Sequence, residues 1–115
     1  MSTEVRVLLC TCPPEAAETI AEGLLERRLV ACVNALPGAF SRYWWKGRLE
    51  SGEETLLLLK TRAEHVPGIV AALGELHPYD VPELLSLPVE AGGPAYLDWV
   101  SGETAPKGRG RTPEA

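Results

Sequence analysis

Apolar positions divide the chain into short solid runs and longer stretches of helical period. Val5 to Cys10 (VRVLLC) is nearly continuous apolar sequence with β-branched residues, the pattern of a buried strand. Pro13 and Pro14 break it and suit a helix entry. From Glu15 to Arg28, Ala16, Ala17, Ile20, Ala21, Leu24 and Leu25 form one stripe, with Glu18, Glu22 and Glu26 opposite. Acidic residues at its start and Arg27-Arg28 at its end match the helix dipole. A second helix is predicted from Ala63 to Leu76 on the stripe Val66, Ile69, Val70 and Leu73, with Pro67 tolerated in its first turn. A proline-fixed turn, His77 to Pro82, precedes a strand from Glu83 to Val89. Gly92-Gly93-Pro94 then opens a short helix carrying Tyr96, Leu97, Trp99 and Val100. The segment Gly102 to Ala115 has no apolar residue beyond alanine, so the domain is predicted to span 1–101 and a disordered tail 102–115.

Between the helices lies Cys32 to Thr61 (CVNALPGAFSRYWWKGRLESGEETLLLLKT), two long strands folded back at Lys46-Gly47. Pro37 cannot donate to a ladder, so a bulge or kink is predicted there, on an edge strand. Strand alternation puts Phe40 and Trp44 on one face and Tyr43 and Trp45 on the other. Strands of roughly a dozen residues reach about 40 Å, beyond a domain with a radius of gyration near 13 Å. The tip therefore calls for a partner, most simply another copy.

The order β-α-β-β-α-β plus a terminal helix predicts an α+β, ferredoxin-like fold: a four-stranded antiparallel sheet with both main helices on one face and a protruding hairpin. A half-exposed strand should alternate, yet Thr55 to Leu59 (TLLLL) and Val7 to Cys10 (VLLC) do not. The helix-free face is thus too apolar to face water, which again predicts homo-oligomerisation.

Composition fits one domain: 115 residues, 45% hydrophobic, net charge −5. The acidic balance argues against nucleic-acid or anionic-membrane partners, and no apolar run approaches the ~20 residues of a membrane span. Met-Ser-Thr-Glu lacks the features of a signal peptide, and three cysteines are an odd count, so reduced thiols in the cytoplasm are expected.

The stretches RLVACVNALPG (Arg28 to Gly38), YWWKGRLE (Tyr43 to Glu50), LLLLKT (Leu56 to Thr61), HPYDVPELLSLPV (His77 to Val89) and YLDWV (Tyr96 to Val100) closely resemble the CutA family of divalent-cation-tolerance proteins. The resemblance implies a ferredoxin-like subunit in a tight homotrimer, similar in architecture to the PII signalling trimers. It implies a role in tolerance of divalent metals such as copper. It supplies no mechanism.

Candidate chemistry follows from the residues. Thiolate and imidazole suit Cu(I) or Zn(II), so Cys10, Cys12 and His77 are the candidate metal ligands, at a surface or intersubunit site. C-x-C with one remote cysteine, Cys32, is equally the pattern of small core residues. No cofactor is obligatory on this reading; copper or another divalent ion is the one to test. The turn around His77 gathers groups able to bind a polar ligand or fix the backbone, so Tyr79, Asp80 and Glu83, with Cys32 and Lys60, are the candidate ligand-cleft residues. Phe40, Tyr43, Trp44, Trp45 and Trp99 are the candidate trimer-interface residues. An acylphosphatase-type hydrolase would need an anion cradle after the first strand, where Pro13 and Pro14 lack amide donors, so no catalytic residues are assigned. A signalling or scaffold trimer without metal is the alternative.

Overall fold

The computed structural model describes residues 3–105. Its elements are β1 (Val5–Cys12), α1 (Ala17–Glu26), β2 (Cys32–Trp45), β3 (Arg48–Arg62), α2 (Val66–Leu76), β4 (Leu85–Pro88) and α3 (Pro94–Glu103), with single 3-10 turns leading into α1 and α2. The four strands form one antiparallel sheet in the order β2-β3-β1-β4. β1 and β3 are central, as two interlocked split βαβ units require, and β2 and β4 are edges.

Register divides the side chains. Leu8, Cys10 and Cys12 of β1 stand beside Leu59, Leu57 and Thr55 of β3. The leucines and cysteines of this set join Ile20 and Leu24 of α1 and Ile69, Ala72 and Leu73 of α2 in one buried core. The helices meet closely because Gly23 has no side chain: a Cβ there would lie 2.7 Å from the Leu76 Cδ1. Leu9 pairs with Leu58 and Leu85, and Val7 with Lys60 and Leu87, on the opposite, open face. That face is partly covered. α3 packs on β1 and β3, where Val5 and Val100 are buried outside the main core. Beyond α3, Leu36, Leu85 and Leu87 remain 46%, 55% and 47% exposed.

The hairpin is as long as its sequence predicts, with strands of 14 and 15 residues. It draws the molecule out to 50 Å in its longest dimension and raises the radius of gyration to 15.2 Å. Lys46 and Gly47 both have positive φ (53° and 78°), the two-residue turn whose twist matches that of the strands. The predicted irregularity at Pro37 is a bulge on an edge strand. Leu36 faces Leu56 and Ala39 faces Glu54, three steps on β2 against two on β3, with Gly38 at φ 85°.

The C-terminus departs from the pattern-based boundary. Gly102 and Glu103 lie in α3, and Thr104, expected in the tail, is fully buried. Thr104 Oγ1 donates to the Val100 carbonyl at 2.8 Å and accepts from Arg62 Nε at 3.0 Å. Arg62 Nη2 and His65 Nε2 converge on the Thr104 carbonyl at 2.8 and 2.6 Å, and Arg28 reaches the Glu103 carbonyl at 3.1 Å. A polar latch ends this helix where apolar periodicity could not mark the stop. The rest of the expected tail, residues 106–115, lies outside the described residues.

Candidate functional site

The expected metal ligands occupy two kinds of place, neither of them open. Cys10 and Cys12 alternate onto the helix-side face and are fully buried in the core. Burial, then Cys12, Glu83 and Glu54 nearby, push the Cys10 thiol up to about 12. Burial and the carboxylates of Glu54 and Glu15 push Cys12 up too. Both environments favour thiol over the thiolate that binds metal.

His77 is buried where α2 gives way to the proline turn. Its Nδ1 accepts from the Tyr79 amide at 3.2 Å, and its Nε2 lies 2.9 Å from the Thr11 carbonyl. An amide only donates and a carbonyl only accepts, so Nε2 carries the hydrogen and neither nitrogen keeps a free lone pair. Among the described residues no group of three or more His, Cys, Asp or Glu is disposed to hold a metal ion. The set Cys10, Cys12 and His77 is therefore not assembled as a site within one chain.

The imidazole fixes the start of the turn, and the turn builds a different site. Tyr79 is carried back over the end of β1 to the base of the hairpin, where its hydroxyl donates to Glu54 Oε2 at 2.7 Å. Ser41 Oγ donates to Glu54 Oε1 at 2.6 Å from the neighbouring strand. Glu54 is only 7% exposed, and these two donors offset its desolvation. Burial and the Glu54 carboxylate together push the Tyr79 phenol well above its usual range, holding it as a donor. Thr11 Oγ1 reaches Glu83 Oε1 at 3.3 Å.

These residues wall a cavity of about 680 Å³ between the hairpin and the turn, lined also by Phe40, Tyr43, Trp45 and Asp80. That volume falls in the range of small-molecule sites. Tyr79, Asp80 and Glu83 thus line one cavity.

Cys32 and Lys60 stand apart from that cleft, paired across β2 and β3 at the α3 end of the open face. Asn34 Oδ1 accepts from Lys60 Nζ and stands 3.6 Å from Cys32 Sγ. Burial, with Cys32 alongside, pushes the Tyr96 phenol of α3 upward. Of the expected interface residues, Phe40 and Trp44 are each 73% exposed on one hairpin face. Tyr43 and Trp45 line the cavity from the other, and Trp99 is exposed beside Tyr96, ring centroids 5.6 Å apart.

Pattern reading missed Glu54 and Ser41. The available signal was parity: Glu54 precedes Leu56 and Leu58 by two and four residues and so shares their face.

The family profile described as CutA1 divalent ion tolerance protein matches residues 6–103. The chain belongs to the CutA1 family. The Divalent-cation tolerance protein CutA of Pectobacterium atrosepticum is 48% identical over 96 residues, covering 83% of this chain and 87% of its own. A Protein CutA homolog of Xenopus laevis is 48% identical over 98 residues, which are 84% of this chain but only 64% of that longer relative. Among solved CutA structures, the PII-like protein CutA of Nostoc superposes with a TM-score of 0.81 at 38% identity, covering 87% of this chain and 97% of that one. The CutA1 match ends at Glu103, the last residue of α3, so the terminal helix belongs to the shared domain. Among the described residues no helix is long and apolar enough to cross a membrane.

Proposed function

We propose that this CutA1 protein acts in divalent-cation tolerance as a homotrimer, binding a metal ion, copper foremost, or a small ligand at clefts between subunits. The observation that carries the assembly is uncovered apolar surface on both faces of the sheet. Leu36, Leu85 and Leu87 are bare on the open face, and Phe40, Trp44 and Leu49 on the reverse of the hairpin. Two different bare surfaces match a head-to-tail ring better than a two-fold dimer, in which one patch meets itself. Burying some hundreds of square ångströms at ~25 cal/mol per Å² contributes several kcal/mol per contact before association costs. The tolerance role rests on family membership.

Metal binding on this reading draws donors from more than one copy, because one chain does not assemble them. The hydrogen bonds that occupy both nitrogens of His77 favour a second reading, a PII-like signalling trimer with no resident metal. Light scattering on the full chain tests assembly: it should report a trimer, and Trp44→Glu with Trp45→Glu should give smaller or aggregated species. An unchanged trimer in that variant would overturn the interface assignment. Titration with copper(I) under reducing conditions separates the two readings. Stoichiometric binding lost in Cys10→Ser, Cys12→Ser or His77→Ala supports the metal site, and absence of binding supports the signalling trimer.

A further inference from the structure

The cavity between hairpin and turn has a definite chemical character. Three carboxylates line it, Glu54, Asp80 and Glu83, against one guanidinium, Arg42. Carboxylates alone would suit a hard metal ion, but these share their wall with the rings of Tyr43 and Trp45, which a hydrated ion leaves unused. An occupant that satisfies both sets carries positive charge on an apolar body. We propose that the cleft binds an aliphatic ammonium compound, a short di- or polyamine.

Two further observations fit this class. Lys46 Nζ lies over the Trp45 ring, 5.8 Å from its centroid, so this ring already takes an alkylammonium of the chain itself. The carboxylate of Glu54, at the base, uses one acceptor position on each oxygen for Tyr79 and Ser41. A carboxylate offers about four such positions, so capacity remains for an ammonium donor. Tyr79, a donor to Glu54, keeps the carboxylate oriented while Asp80 and Glu83, exposed in the same lining, accept the second charge. The contrast with the cysteine-histidine set is chemical: that set suits soft metals, and this one presents only oxygen acceptors and ring faces.

The inference rests on the cleft being the ligand chamber of the assembled protein, and its test keeps the two claims apart. The full chain is first sized by light scattering, then titrated calorimetrically with 1,4-diaminobutane, with 1-butanol as a neutral body of similar size, and with magnesium chloride as a bare cation. Saturable diamine binding, one per chain, at least tenfold tighter than 1-butanol, is expected. Glu83→Gln and Asp80→Asn, both at exposed positions, should each weaken it by up to about fivefold, the scale of one solvent-exposed ion pair. Circular dichroism and light scattering should show both variants folded and assembled as before. Equal binding of 1-butanol, displacement of diamine by equimolar magnesium, or indifference to both substitutions would overturn the proposal. An intact trimer that binds no diamine defeats the ligand class alone, whereas a monomer defeats the assembly beneath it.

Discussion

Leu57 and Leu58 are adjacent and chemically identical, yet they live in different worlds. Leu57 is fully buried beneath α1 and α2, while Leu58 sits half-buried on the open face. The same division separates Leu59 from Leu56, and Leu8 from Leu9. Both faces of the central strands carry core residues, but a single chain supplies helices enough for one face and a ten-residue α3 for part of the other. Fold stability is thus concentrated on the helix side. The open side carries apolar character that one chain does not use.

Substitutions that trade one face for the other break or sharpen this contrast. Leu57→Ala should cost about 2–5 kcal/mol, as for other fully buried leucines, with the same loss in urea relative to the parent at every protein concentration. Leu87→Ala, 47% exposed in one chain, should cost little in a dilute monomer and more in the assembled protein, so its loss relative to the parent should grow with concentration. Equal, concentration-independent losses at both positions would remove the distinction. Tyr79→Phe removes one of two donors to the buried Glu54 and should cost about 1–3 kcal/mol in the same measurement. An unchanged midpoint would mean that the turn and the hairpin are not coupled.

The smallest effect is one of pH. A thiol raised from 9.0 to about 12, as Cys10 is, holds its proton more tightly folded than unfolded. Its contribution is complete below pH 9 and is lost as pH rises from 9 toward 12, at no more than about 1.4 kcal/mol per pH unit. Cys10→Ala should flatten the stability profile in that window. A profile unchanged by Cys10→Ala would mean that this thiol is not desolvated.

The elements, the turn at Lys46-Gly47, the bulge after Leu36 and the division of tip aromatics were all legible, because each depends on neighbours in sequence. What escaped was built by contacts between distant residues. Tyr79 and Glu54 are 25 positions apart, and Arg62 and Thr104 are 42 apart. Thr104 reads as tail because hydrogen bonds, not apolar area, hold it. His77 reads as a ligand because only the folded chain shows the Thr11 carbonyl and Tyr79 amide occupying its ring.

The bulge after Leu36 has a consequence for how this hairpin tolerates changes of length. Cys32, Asn34 and Leu36 keep even time on the open face, and Ala39, Ser41, Tyr43 and Trp45 continue on that face in odd time. The joint absorbs a beat. Losing one residue at 37–38 would leave an ordinary ladder with every tip side chain still facing its present way. Losing one between Ala39 and Trp45 would turn the remainder over and carry Trp45 away from the cleft. Length is forgiving at the joint, and beyond it comes only in steps of two.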